Sequence, residues 1–110
     1  MRDDRERLKD ILEAIGRIEK YALRGEETFR LDELIQNWVT SNVQVIGEAA
    51  LGLSKDFKDR TPEIPWSDIV GMRHVLVHKY FEIDLDIVWR VVTEDLPRLK
   101  SQIRSVLKDS

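Results

Sequence analysis

The stretch at residues 31–53, LDELIQNWVTSNVQVIGEAALGL, decides how this chain folds. Leu34, Ile35, Trp38, Val45, Ile46, Ala49 and Leu53 recur at three- and four-residue steps, the period of an α-helix. Val39 and Val43 widen the stripe beyond one face. A helix apolar on two sides packs against two things, here the rest of its own domain and a second copy of the chain. Within VQVIGEAALGL one acid stands alone, Glu48.

The same period continues on both flanks. Upstream, Leu8, Ile11, Leu12, Ile15, Ile18 and Ala22 predict a helix over residues 5–24, with Gly25 after it as a cap. Downstream, SKDFKDRTPEIP is the longest break, because Pro62 and Pro65 stop regular structure. Pro65 suits the first position of a third helix, expected over residues 66–80. FEIDLD is a short connection, and Asp84 is placed to cap the last helix. That helix follows Ile87, Val88, Val91, Val92, Leu96, Leu99, Ile103, Val106 and Leu107. Pro97 falls inside it and has no N–H for the carbonyl of Thr93, which predicts a kink or a split there. No strand pattern, repeat or low-complexity segment competes. The expected architecture is all-α, an antiparallel bundle of four to five helices in one domain over residues 1–110.

Composition narrows the class of function. The net charge is −3, so a polyanion would have to be met by a local patch. Cysteine is absent, which removes disulfides and thiolate chemistry and fits a reducing cytoplasm. The start, MRDDRERLKD, is charged and lacks the apolar region of a signal peptide. No apolar run approaches the ~20 residues of a membrane span.

The local patch exists. GMRHVLVHKYF, residues 71–81, holds Arg73, His74, His78, Lys79 and Tyr80. The two histidines are the only ones in the chain, and no Asp or Glu occurs from Ile69 to Phe81. On a helical wheel advancing roughly 100° per residue, Arg73 and Tyr80 fall close to Ile69, inside the apolar arc. His74 and His78 lie together at its far margin. A guanidinium in an apolar arc needs partners, since an unpaired buried charge costs several kcal/mol. Glu48 is the candidate. Each residue also has a plain structural reading: an ion-pair partner for Arg73, a cap or surface position for the histidines, packing for Tyr80. His74 and His78 at i and i+4 could hold a metal, although only carboxylates remain to complete such a site. Taken together, these readings explain poorly why five such residues cluster without one acid.

RNA cleavage without a metal suits the cluster better. The nucleophile is the RNA's own 2′-hydroxyl, which attacks the adjacent phosphorus. Histidine moves a proton near neutral pH, and the planar fork of arginine holds the phosphate and the charge that builds on it. Arg73 and His78 are five residues apart, so on a straight helix they point about 140° apart. Either the helix ends near His78, or a second copy completes the pocket.

RHVLVHKY resembles the R-x4-6-H signature of HEPN domains, and more narrowly the R-x4-H-x-Y form of the HepT-like ribonuclease toxins. RLKDILEAIGRIEKY, NVQVIGEAALGLS, PEIPWSDIVGMRHVLVHKYF and DLDIVWRVVTEDLPRLKSQI are similar to that family in the same order, over nearly the whole chain. The resemblance implies a homodimer whose two motifs face one groove, and a metal-independent endoribonuclease toxin that requires no cofactor. It implies as partner a minimal nucleotidyltransferase antitoxin that attaches AMP to the motif tyrosine. Carried over, Arg73 and His78 are the catalytic pair, His74 the polar accessory position and Tyr80 the modified residue. Lys79 adds a cation for RNA phosphate, and Glu48 joins the accessory set on the charge argument alone.

Two other readings stay open on the residues. One is a non-catalytic helical dimer that binds a nucleotide or serves a nucleotidyltransferase as accessory subunit. The other is a metal-dependent hydrolase using His74 and His78.

Overall fold

The computed structural model describes residues 3–75 and 83–109, and its helices start where short acceptor side chains stand. Asp3 accepts from the Glu6 amide at 2.8 Å and opens α1 (Asp4–Ala22). Asp32 accepts from the amides of Leu34 and Ile35 at 2.9 and 3.2 Å and opens α3 (Glu33–Leu51). Asp84 accepts from Ile87 at 3.1 Å and opens α6 (Leu85–Arg90), as expected. Each such cap satisfies an amide that the first helical turn leaves without a partner, and is worth about 1 kcal/mol.

Two short helices differ from the expectation. The 31–53 segment is not one helix from Leu31. The chain forms α2 (Glu26–Leu31), and Asp32, with φ −111° and ψ 103°, ends it and restarts the chain as α3. Gly25 does not cap α1 directly: Leu23 does so, and Gly25, at φ 94°, turns the chain into α2. A positive φ of that kind is open to glycine at little cost. Within SKDFKDRTPEIP, Ser54 accepts from the Phe57 amide at 3.1 Å and starts α4 (Lys55–Arg60). Pro62 then keeps that helix short.

α5 (Trp66–Val75) begins one residue later than Pro65, whose carbonyl accepts from the Ile69 amide at 3.1 Å. Its start is pinned from α4. The Trp66 indole donates to the Thr61 hydroxyl at 2.9 Å, and that hydroxyl donates to the Phe57 carbonyl at 3.0 Å. The Phe57 and Trp66 rings lie 5.9 Å apart. A buried hydroxyl with both roles filled, between two buried rings, fixes where α5 can enter the bundle.

The irregularity expected at Pro97 is a π-helical turn, Val91–Asp95, between α6 and α7 (Leu96–Asp109). The Leu96 amide reaches back five residues to the Val91 carbonyl. The wider turn takes up the register that proline would otherwise break. It also keeps Val88, Val91, Val92, Leu96, Leu99 and Ile103 on the buried side. With α6, the π turn and α7 running on without interruption, the described residues form an all-α bundle with no strand.

The core collects the predicted stripes. Leu8, Ile11, Ile15 and Ile18 of α1 meet Val39, Val43 and Ile46 of α3, each at most 2% exposed. Burying a side chain of this size contributes about 1.5–3 kcal/mol. α3 packs along α1 on one flank and α5 on the other, and Lys100 ties α7 to Glu19 of α1 at 2.9 Å. Part of α3 is left open: Leu34 is 81% and Val45 41% exposed, and Trp38 is 43% exposed although its indole donates to the Arg17 carbonyl of α1 at 3.1 Å. Among the described residues, no helix is long and apolar enough to cross a membrane.

Candidate active site

Arg73 lies on α5, one turn after Ile69, and its side chain crosses to α3. Ile69 and Met72 are buried, while Arg73 is partly buried, at the margin of the same apolar arc. The Arg73 Nη1 donates to Glu48 Oε1 at 2.9 Å, across 25 residues of sequence. The Nε donates to the Val70 carbonyl at 3.2 Å. The partner expected for this guanidinium from charge alone is thus the partner it has.

The two members differ in exposure. The Arg73 side chain is 24% exposed and that of Glu48 63%. The cation is held in the crevice between α3 and α5, and the carboxylate reaches it from the rim. Nε and Nη1 are committed, and Nη2 has no protein partner among the described residues. With Nε and Nη1 committed, Nη2 remains to meet a phosphate oxygen.

Glu48 also borders an open groove of about 630 Å³ between α1 and α3. Arg7 and Arg17 stand on its α1 wall, and Ser41 and Gln44 on its α3 wall. Arg17 is engaged by Glu13 within α1. The groove is mixed in charge: Asp10 and Glu13 of α1 and Glu48 of α3 stand beside the two arginines.

His74, expected as the accessory position, is exposed on α5. His78, Lys79 and Tyr80, the remaining members of the cluster, lie outside the described residues. Among the described residues, no three His, Asp or Glu side chains gather as metal ligands would.

One contributor to the site was not visible in the sequence. Gly47 is buried on α3 directly before Glu48, and the stem of Arg73 lies across it. Inside a helix pattern, a glycine signals only a loss of propensity. Nothing in its spacing tells which neighbour occupies the space beside it.

An all-α bundle that holds a partly buried arginine at a helix crossing, with a histidine next in sequence, defines a class of helical domains. The ribonuclease HepT-like family model matches residues 11–106, and the chain belongs to that family. A protein named "Probable ribonuclease HepT" from Thermococcus cleftensis is 38% identical over 97% of this chain and 98% of its own length. "Putative RNase MJ1380" from Methanocaldococcus jannaschii is 34% identical over 96% of this chain and 97% of its own length. A longer protein of the same organism, "Gamma-glutamylcyclotransferase and putative RNase MJ0434", is 36% identical over 93% of this chain, which spans 46% of it. No solved structure matches the chain significantly.

Proposed function

We propose that this protein is a metal-independent endoribonuclease, the toxin of a toxin–antitoxin pair, acting through Arg73 and His78. The observation that carries the reading is the Arg73 guanidinium. It is anchored at 2.9 Å by Glu48 and through Nε by Val70, in a family of ribonucleases, with Nη2 still to offer.

In the reaction, the 2′-hydroxyl of the RNA attacks the adjacent phosphorus. The bond from phosphorus to the 5′-oxygen breaks. One strand is left with a 2′,3′-cyclic phosphate and the other with a 5′-hydroxyl. A proton leaves the 2′-oxygen and one is given to the departing 5′-oxygen, and His78 serves one of these transfers. Arg73 holds the non-bridging oxygens and the negative charge that grows on them. His74 is the polar accessory group, and Lys79 neutralises a neighbouring phosphate.

Two copies form the working unit. The open part of α3, with Leu34, Trp38 and Val45, supports a second subunit. A nucleotidyltransferase antitoxin silences the enzyme by transferring AMP to Tyr80. The phosphodiester so added is an anion seven residues after Arg73 in sequence, where it competes with substrate and repels RNA.

The experiment is cleavage of single-stranded RNA by the purified protein in the presence of a chelator. Cleavage that persists with the chelator and falls by two or more orders of magnitude in Arg73→Ala and His78→Ala fits the proposal. A folded protein that binds RNA or nucleotide and never cuts it would point to the non-catalytic reading. Activity abolished by the chelator would point to the metal-dependent one.

A further inference from the structure

We infer that Gly47 is the seat of Arg73: a positioning residue whose missing side chain lets the arginine stem lie against α3 and so sets where the guanidinium points. The inference rests on the nuclease reading for its catalytic consequence, but not for its geometry.

A Cβ built at Gly47 overlaps the Cγ of Arg73 and comes within 3.3 Å of its Cδ. The next nearest atom is the Ile69 carbonyl oxygen at 3.4 Å, an ordinary contact. The volume that a methyl group would need is therefore held by one side chain, and the backbone crossing of α3 and α5 does not itself demand glycine. The next residue on α3 is Glu48, which takes Nη1 at 2.9 Å, while Val70 on α5 takes Nε at 3.2 Å. Seat, clamp and brace act on one side chain from two helices. With the stem fixed at Cγ and two of the fork's nitrogens committed, Nη2 has one direction left.

An alanine at position 47 must push the stem off α3 at its second carbon, where no distal rotation relieves the overlap. The guanidinium then loses its place relative to a phosphate, and misplacement by about 1 Å can cost on the order of 100-fold in rate.

The test is a cycle of Gly47→Ala and Arg73→Ala, read by RNA cleavage and by unfolding. In the parent background, Gly47→Ala is expected to lower kcat on the order of 100-fold, with KM moved far less. In the Arg73→Ala background, the seat is empty. There Gly47→Ala should raise the unfolding midpoint, because alanine is the better helix former. With Arg73 present, the same change should lower it. A rate equal to the parent's in Gly47→Ala overturns the inference. So does the same shift in unfolding midpoint with and without Arg73, which would assign Gly47 to helix packing in general. If the parent itself cuts no RNA, the nuclease reading fails, and the dependence of the unfolding shift on Arg73 alone decides whether Gly47 seats it.

Discussion

Arg73 on α5 and Glu48 on α3 meet at 2.9 Å although 25 residues separate them, and they meet with the cation deeper than the carboxylate. Pairs with one half-exposed member contribute little to stability, because water screens the attraction and holding the side chains costs entropy. Its value is directional. Glu48→Ala is expected to change unfolding free energy by less than about 1 kcal/mol and to lower RNA cleavage about tenfold. Chemical denaturation and initial rates on one substrate measure the two effects. Unaltered cleavage in Glu48→Ala would reduce the pair to an ordinary surface contact.

The switch proposed at Tyr80 separates toxicity from control. Tyr80→Phe removes the oxygen that would accept AMP and keeps the ring. Cells expressing the variant should stop growing, and co-expression of the antitoxin should no longer rescue them. The check is growth with and without the antitoxin, together with the mass of the purified toxin, which should lack the added AMP. Normal growth without the antitoxin would give Tyr80 a catalytic or folding role instead.

The sequence carried the fold to the extent that its signals were long. The stripes of α1 and α3 span enough turns for their period to be unmistakable; Leu8, Ile11, Ile15 and Ile18 of α1 are buried, whereas in α3 Ile35, Val39, Val43 and Ile46 are buried and Leu34, Trp38 and Val45 are exposed. α2 and α4 have six residues each, fewer than two turns, so no period can form. Asp32, which ends α2, and Ser54, which caps α4, are their boundary residues, and caps are weak evidence without a stripe behind them. Pro97 predicted trouble, but the form it took, a π turn reaching back to Val91, depends on which register keeps Leu96 and Leu99 buried. At the site, the Arg73–Glu48 pair was legible because a charge in an apolar arc must be answered and few acids were placed to answer it. The space at Gly47 was not legible, since it exists only where two helices cross.

The open part of α3 should be a contact between copies. Leu34 is 81% and Val45 41% exposed, on the same helix face as Glu48 by their three- and four-residue steps. Leu34→Glu and Val45→Glu, made singly, cost the isolated subunit little, since neither side chain is in the core. Burying such a carboxylate between subunits costs several kcal/mol. Sedimentation should show the parent as a dimer and the variants shifted toward monomer, with cleavage falling in step. If both variants stay dimeric, the second copy sits on another face.

A second prediction of stability concerns pH. Partial burial pushes the Asp4 carboxyl up, but the Ser54 hydroxyl at 2.6 Å and amide at 2.8 Å, with Arg60 and Arg7 nearby, outweigh it and hold it below its ordinary value. A carboxyl depressed in the folded state adds stability above its unfolded pKa of about 3.9. That stability disappears as pH falls through the folded value. Asp4→Ala should therefore be less stable than the parent at pH 7 by at most about 1 kcal/mol, given its solvent exposure. The gap should narrow steadily below about pH 4. Denaturation curves of both proteins across that range are the check, and a gap independent of pH would assign the effect to lost packing.

Thr40 is the reverse case, a polar group whose removal should help. It is buried on α3 at 7% exposure, and its hydroxyl has no hydrogen-bond partner among the described residues. Its helix neighbours Val39 and Val43 are both in the core. A buried hydroxyl without a partner keeps the cost of leaving water and gains nothing for it, about 1–3 kcal/mol. Valine has nearly the same shape and nearly the same helix propensity, so Thr40→Val removes the penalty and leaves the packing. Unfolding free energy should rise by about 1 kcal/mol, with the urea midpoint moving up and the slope unchanged. Thr40→Ser keeps the hydroxyl and deletes the methyl, so it should move the midpoint down. A Thr40→Val protein no more stable than the parent would mean that the hydroxyl is satisfied in solution, by a water held against α3.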